Sequence, residues 1–178
     1  MFETERLIVR PFEPGDYKDY HAYASRQEIY RFERGTPVDL KQAKKDCKRM
    51  AKEKKIWAAV LKENNKVIGQ VSFSSIRPEE FSTFNLGYIF NPDYYGRGYA
   101  TEAARGMVKY GFEVLLVHRI VGHCSPDNIA SWKILERCDM TKEGVSRKDF
   151  PHHIDGNGKT VWLDSLEYAI LEEDYFRK

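Results

Sequence analysis

The sequence predicts an α+β (mixed α/β) fold in one domain, residues 1–178, with a twisted central sheet of about seven strands flanked by about four helices. Two observations lead there. Short apolar runs bounded by Gly, Pro and Asn recur along the chain, and between some of them the apolar period lengthens to that of a helix. At 178 residues the chain suits a single domain that buries roughly two-thirds of its unfolded surface.

Leu7 to Arg10 reads as a short strand closed by Pro11, and Gly15-Asp16 offers an N-cap for a helix through about Ser25. Asp39 caps a second helix to about Lys54. Ile56 to Lys62 and Val67 to Ile76 form a hairpin around Glu63-Asn64-Asn65-Lys66, since asparagine tolerates left-handed dihedrals. A loop from Arg77 to Ser82 leads into the strand Thr83 to Phe90, stopped by Asn91-Pro92. From Thr101, Ala103, Ala104, Met107, Val108, Gly111, Phe112 and Leu115 make a helical stripe. His118 to Cys124 is a strand, and Ser125 to Asn128 cap a helix through about Cys138. Strands over Thr141 to Phe150 and Lys159 to Leu171 close the sheet, with a loop at Pro151 to Lys159.

Composition narrows the function. The chain is 42% apolar and 31% charged, without repeats or low-complexity tracts, as in an ordinary soluble protein. A net charge of +2 is too small to argue for a nucleic-acid or membrane partner. The basic run from Lys41 to Lys55 is broken by Asp46 and Glu53 and reads as a solvated helix face. No stretch approaches the roughly 20 apolar residues of a membrane span, and no signal peptide opens the chain. Cys47, Cys124 and Cys138 lack CxxC spacing, which points to free thiols in a reducing compartment, by default the cytoplasm.

The most informative segment is NPDYYGRGYATEA, Asn91 to Ala103. It joins an apolar strand to a helix through a turn whose Gly96 and Gly98 let the backbone lie against a ligand. The helix N-terminus that follows supplies unpaired N–H groups and a positive dipole end, a cradle for phosphate. A Rossmann site fits poorly, because the turn follows several antiparallel-type strands and Val117, His118 and Arg119 occupy the place of the acidic residue. A Walker loop needs a GKS or GKT that is missing. The bland alternative is a tight turn serving helix–sheet packing alone.

Four strings, taken in order, resemble the GNAT superfamily of acetyl-CoA-dependent N-acetyltransferases, in particular the branch of ribosomal-protein-alanine (Rim-type) N-acetyltransferases. They are ETERLIVRPF (Glu3 to Phe12), LGYIFNPDYYGRGYATEA (Leu86 to Ala103), HRIVGHCSPDNIASWKILERCDM (His118 to Met140), and EGVSRKDF with SLEYAIL (Glu143 to Phe150, Ser165 to Leu171). Tyr95 departs from the Gln or Arg that opens the superfamily's loop pattern, while Gly98 and Ala100 match it. The resemblance implies a splayed strand pair and assigns the pyrophosphate to the backbone of Gly96, Arg97, Gly98, Tyr99, Ala100 and Thr101. It lays the pantetheine arm along Tyr88, Ile89 and Phe90 as an added strand. A backbone N–H of Ile89 or Phe90 would polarise the acetyl carbonyl. Asn128 would contact the pantetheine, and Ser131 would meet the cofactor thiol as proton donor. Many superfamily members carry a tyrosine acid seven residues beyond that Asn, where this chain has Leu135. The Gly-Phe that usually ends the helix is Asp139-Met140.

An amine attacks a thioester only when neutral. An α-amine of pKa about 7.8 is roughly 14% neutral at pH 7, a lysine-type amine near 10.4 about 0.04%, a gap of about 3.5 kcal/mol. Candidate bases are Asp149, by resemblance, and His123, whose residue type titrates near neutrality. Alternative readings stand beside each candidate: Asn128 or Asp127 as plain N-cap with Ser131 a first-turn residue, and His123 as a packed or surface histidine. Glu102 reads as a structural complement to the helix dipole. His152, His153 and Asp155 lack metal-ligand spacing, so no metal is expected. Cys124 as an acylated nucleophile lacks a base partner. The expected reaction is direct transfer from acetyl-CoA to a primary amine, by resemblance a protein N-terminal α-amine. A small amine or a non-catalytic acyl-CoA-binding module is the alternative, in a monomer or homodimer. Tyr23, Tyr30, Phe32 and Glu33 could line an acceptor pocket, although core packing explains the aromatics equally well.

Overall fold

The computed structural model describes residues 1–76 and 78–177, so Arg77, where the expected loop begins, lies outside the described residues. The chain runs β1 (Phe2–Glu3), β2 (Leu7–Pro11), α1 (Tyr17–Ala24), α2 (Leu40–Glu53), β3 (Ile56–Leu61), β4 (Lys66–Ser75), β5 (Thr83–Phe90) and α3 (Tyr99–Glu113). It continues through β6 (Arg119–Cys124), α4 (Ile129–Arg137), β7 (Thr141–Ile154), β8 (Thr160–Leu171) and α5 (Glu172–Phe176). Eight strands form one sheet in the order β1-β2-β3-β4-β5-β6-β8-β7. Pairing is antiparallel throughout except between β5 and β6.

Period-two alternation divides the sheet's faces. Leu7, Val9, Ala59 and Leu61 join the core beneath α3, whereas Ala58, Val60 and Val67 pack with Phe12, Cys47 and Met50 beside α2. α2 buries Ala43, Cys47 and Met50 and turns its basic run outward, as its interleaved charges predict. Asp39 caps it through Gln42 N–H at 2.7 Å, and Asn65 takes the left-handed φ of 58° in the β3–β4 turn. All three cysteines are free.

Several boundaries differ from expectation, each for a local reason. α3 starts at Tyr99, two residues early, because Gly98 at φ 81° turns the chain straight into the helix. It ends at Glu113, so Leu115 falls outside the stripe and is exposed. Asp16 stands at the N-cap of α1 without capping it; its carboxylate instead pairs with Arg10 and accepts the Glu13 N–H at 2.7 Å. The late loop is mostly strand. Pro151 pairs with Trp162 and His153 with Val161, and the Asp155 carboxylate closes the tip by accepting the N–H groups of Asn157 and Lys159. Polar residues on both hairpin faces hid that extension from a periodicity argument. β1 and α5, two and five residues long, are too short to carry a period.

Leu116, beyond the end of α3, holds φ 53° and is 74% exposed. A side chain there costs about 1 kcal/mol of left-handed strain and gains little packing. Leu116→Gly is therefore expected to raise the urea midpoint by the equivalent of about 0.5 kcal/mol, after glycine's larger unfolded entropy is subtracted.

Candidate active site

β5 and β6 run parallel for three pairs, Thr83↔Arg119, Phe84↔Ile120 and Asn85↔Val121, and then part. Beyond the fork, β5 from Leu86 to Phe90 keeps only β4, and β6 from Gly122 to Cys124 keeps only β8. The N-terminal turn of α4 stands against the opening. Tyr88 donates its hydroxyl to the Ser131 carbonyl at 2.7 Å, and Ser131 Oγ donates to Tyr88 Oη at 3.3 Å. At the fork itself, His123 Nδ1 lies 3.2 Å from Asn85 Oδ1. A groove of about 1440 Å³ and a smaller cavity of about 310 Å³ meet here, sharing Phe32, Glu33, Tyr88, Ile89, Asn128 and Ser131.

The glycine turn lines the large groove. Gly96 and Gly98 have φ of 74° and 81°, and a Cβ at Gly96 would meet nothing within 4 Å. At Gly96 glycine is thus required by the backbone dihedral and not by packing. The first helical bond of α3 is Glu102 N–H to Gly98 O at 3.0 Å. Among the described residues no acceptor takes an N–H from Gly96 to Thr101. Orphan donors at a helix N-terminus suit an anion.

Glu102 does more than complement the dipole. It accepts the Thr4 hydroxyl (2.6 Å), the Arg6 N–H (2.8 Å) and Arg6 Nε (2.7 Å). Arg6 in turn donates to the Arg97 carbonyl at 3.0 Å and lies 4.4 Å over the Tyr99 ring. The β1–β2 turn is so tied to both sides of the glycine turn. Burial pushes the Glu102 carboxyl up, but Thr4 and Arg6 outweigh it and hold it below the usual carboxylate range.

Of the residues the sequence assigns to the cofactor, Tyr88, Ile89, Phe90, Gly96, Gly98, Tyr99, Ala100, Thr101, Asn128 and Ser131 line the groove. Arg97 does not; its guanidinium lies 5.7 Å over Tyr94. Arg105, Lys133 and Arg137 line the groove without a carboxylate ion-pair partner among the described residues. Sequence reasoning missed this trio, although Lys133 and Arg137 stand four apart on one helix. Asn128 caps α4, its Oδ1 accepting Ser131 N–H at 3.3 Å, so cap and groove wall coincide.

The base candidates separate. Both are exposed, but His123 lines the small cavity, with Nδ1 engaged by Asn85 and Nε2 left over, whereas Asp149 lines neither cavity. Leu135, in the tyrosine slot, is buried against Gly122, where an added Cβ would come within 2.7 Å of it. A hydroxyl instead reaches this region from Tyr88, whose burial raises its pKa far above that of a free phenol. Burial pushes the Cys124 thiol up to about 11, against the weaker effect of Ser131, leaving little thiolate at neutral pH. Asp139 ends α4 at φ 62°, taking the glycine's conformation without the glycine. Among the described residues no group of His, Cys, Asp and Glu is placed to hold a metal ion.

A mostly antiparallel sheet forked at its one parallel pair, with an anion-ready turn beside the fork, defines an acyltransferase architecture. The acetyltransferase (GNAT) domain model matches residues 6–141, and the chain belongs to that family. It is 34% identical over 175 residues to the uncharacterized N-acetyltransferase YnaD of Bacillus subtilis, covering 97% of each chain. The crystal structure of a GNAT-family acetyltransferase from Bacillus anthracis is similar with a TM-score of 0.86 and 33% identity, over 96% of this chain and 98% of that one. That of a ribosomal-protein-S5-alanine acetyltransferase from Vibrio fischeri gives 0.77 and 26%, over 98% and 97%. The chain is therefore an N-acetyltransferase, of a family that draws on acetyl-CoA.

Glu102→Gln is expected to weaken coenzyme A binding by about ten-fold through loss of the charge-assisted tether, as read by calorimetry. Because the folded carboxyl sits below an unfolded value of about 4.3, the tether's stability is present above that pH. The wild-type advantage over Glu102→Gln in urea melts should hold near neutrality and fade as pH falls through the folded value.

Proposed function

We propose that residues 1–178 work as one N-acetyltransferase domain that passes acetyl from acetyl-CoA directly to the α-amino group of a peptide or protein N-terminus. One observation carries the reading: the groove lined by unbonded turn amides meets a polar cavity at Tyr88 and Ser131, on the unpaired edge of β5. The amides of Gly96 to Thr101 hold the diphosphate, and Arg105, Lys133 and Arg137 favour the phosphate-bearing end. The open edge at Tyr88 to Phe90 takes the pantetheine as an added strand. The backbone N–H of Phe90, on the side of β5 away from β4, serves the carbonyl oxygen of the acetyl group, whereas that of Ile89 faces Gln70 of β4. Ser131, pinned by Tyr88, delivers a proton to the departing thiolate. His123, oriented by Asn85, keeps Nε2 for the proton of the amine.

The cavity chemistry favours an α-amine. Gln70, Ser72, Asn85, Ser125 and Ser165 offer uncharged partners for peptide amides, and the lining holds only two carboxylates, Glu33 and Asp164, too few to follow a polycation. An α-amine also asks least of the base. The likeness to the Vibrio fischeri alanine acetyltransferase points the same way. A small amine is the second reading, favoured by the cavity's volume of about 310 Å³. The free cysteines support a reducing setting, by default the cytoplasm.

Free thiol, followed with acetyl-CoA and a panel of peptides and small amines, tests the reading. Release that depends on a peptide α-amine supports it. Release with small amines alone moves the acceptor to the second reading, and cofactor binding without release across the panel makes the domain a binding module. Ser131→Ala is expected to lower kcat about 10²-fold, the scale of one proton-transfer group. Tyr88→Phe should give a smaller loss, since it removes the hydroxyl that holds Ser131 in place. Cys124→Ala should leave kcat within about two-fold, because a thiol held near 11 is a poor nucleophile.

A further inference from the structure

Glu33 stands on the wall common to the groove and the small cavity, and among the described residues nothing hydrogen-bonds or ion-pairs with it. Its loop is firmly placed. Tyr30 Oη and Val38 N both donate to the Ala24 carbonyl, at 2.8 and 3.0 Å, and His152 Nε2 of β7 meets the Tyr30 carbonyl at 3.1 Å. A half-buried carboxylate held at a cavity junction without a donor is costly unless a ligand supplies the compensating cation. Resting on the acceptor reading above, we propose that Glu33 is the acceptor's ammonium anchor: it pairs with the protonated amine and presents it at the fork before His123 takes its proton.

The surroundings fit that role. Burial raises the Glu33 carboxyl above its usual range, and His152 opposes the shift without cancelling it. The other titratable groups in electrostatic contact, Tyr88 and Tyr95, are neutral phenols that Glu33 pushes further up. Among the described residues His152 is the basic group in electrostatic contact with the carboxylate, and its Nδ1 already faces His153 Nδ1 at 2.8 Å; Arg31 of the same groove wall instead lies over the Phe32 ring, 5.0 Å from its centre. The remaining acidic residue of the small cavity, Asp164, is occupied in accepting Lys148 N–H at 2.8 Å. In proton terms the ammonium gives one proton to His123, and of the two left on nitrogen one stays on the amide and one ends on the released thiol.

The test compares wild type with Glu33→Gln and Glu33→Asp, using tetraalanine amide and n-butylamine as acceptors and coenzyme A as the cofactor probe. Coenzyme A affinity by calorimetry should be unchanged in both variants. Glu33→Gln should lose about ten-fold or more in kcat/KM for the amine, chiefly in KM, as expected for one charge-assisted hydrogen bond. Glu33→Asp should recover part of it. The loss should be largest below the amine's pKa and shrink above about pH 9, where an α-amine arrives uncharged. Calorimetry of tetraalanine amide with the coenzyme A complex gives a readout independent of turnover and should show the same weakening. An equal loss at every pH, or no loss in KM and binding, overturns the anchor while leaving the acetyltransferase reading intact. A wild type that binds coenzyme A but neither binds nor acetylates either amine overturns both.

Discussion

The fork between β5 and β6 is the constraint on which the rest depends. A sheet continued past Asn85 and Val121 would leave neither an open edge nor a passage between its two faces. Past the fork β6 stays paired with β8 through to Cys124↔Leu166, and β5 stays paired with β4 through to Phe90↔Gly69. Each strand keeps one partner, so the cost of parting is confined to one short run of backbone hydrogen bonds. Those groups become the site's own donors and acceptors. Tyr88 and Ser131 bridge β5 to α4 across the gap, so the fork is propped open by a defined contact.

The second constraint fixes the turn beside the fork. Gly96 to Thr101 carries its N–H groups unpaired, an arrangement that has to be held against collapse. Arg6 and Glu102 do this from outside the turn, one gripping the Arg97 carbonyl and the other receiving Arg6 and Thr4. The β1–β2 turn thus contributes to the site by holding the glycine turn in place. The groove and the small cavity meet where the loop after Arg31, the strand β5 and the first turn of α4 come together, and Glu33 lies on that shared wall.

What the sequence made legible was local. The stripe from Ala103 to Phe112, the Asn65 turn, the Asp39 cap and the glycine turn each follow from residues close together in the chain, and each is present in the structure. The fork came through family resemblance, since no propensity marks a place where strands part. Tyr88 with Ser131 and Arg6 with Glu102 join residues 43 and 96 apart. No spacing rule reaches that far without a fold in hand. Asp149, named by analogy of position, lies in the register shift between Ser146 and Phe150 and outside both cavities, a local irregularity that no sequence spacing marks. Glu33 was visible as a residue type but could not be weighed until burial and the want of a partner were known.

Amide hydrogen exchange at Gly96 to Thr101, with and without coenzyme A, bears most directly on the central assignment. The turn N–H groups lack internal acceptors and should exchange rapidly in the free protein, then become strongly protected when the diphosphate is bound, along with those of Tyr88 and Phe90, which face the open side of β5. Unaltered exchange in the turn at saturating coenzyme A would contradict it.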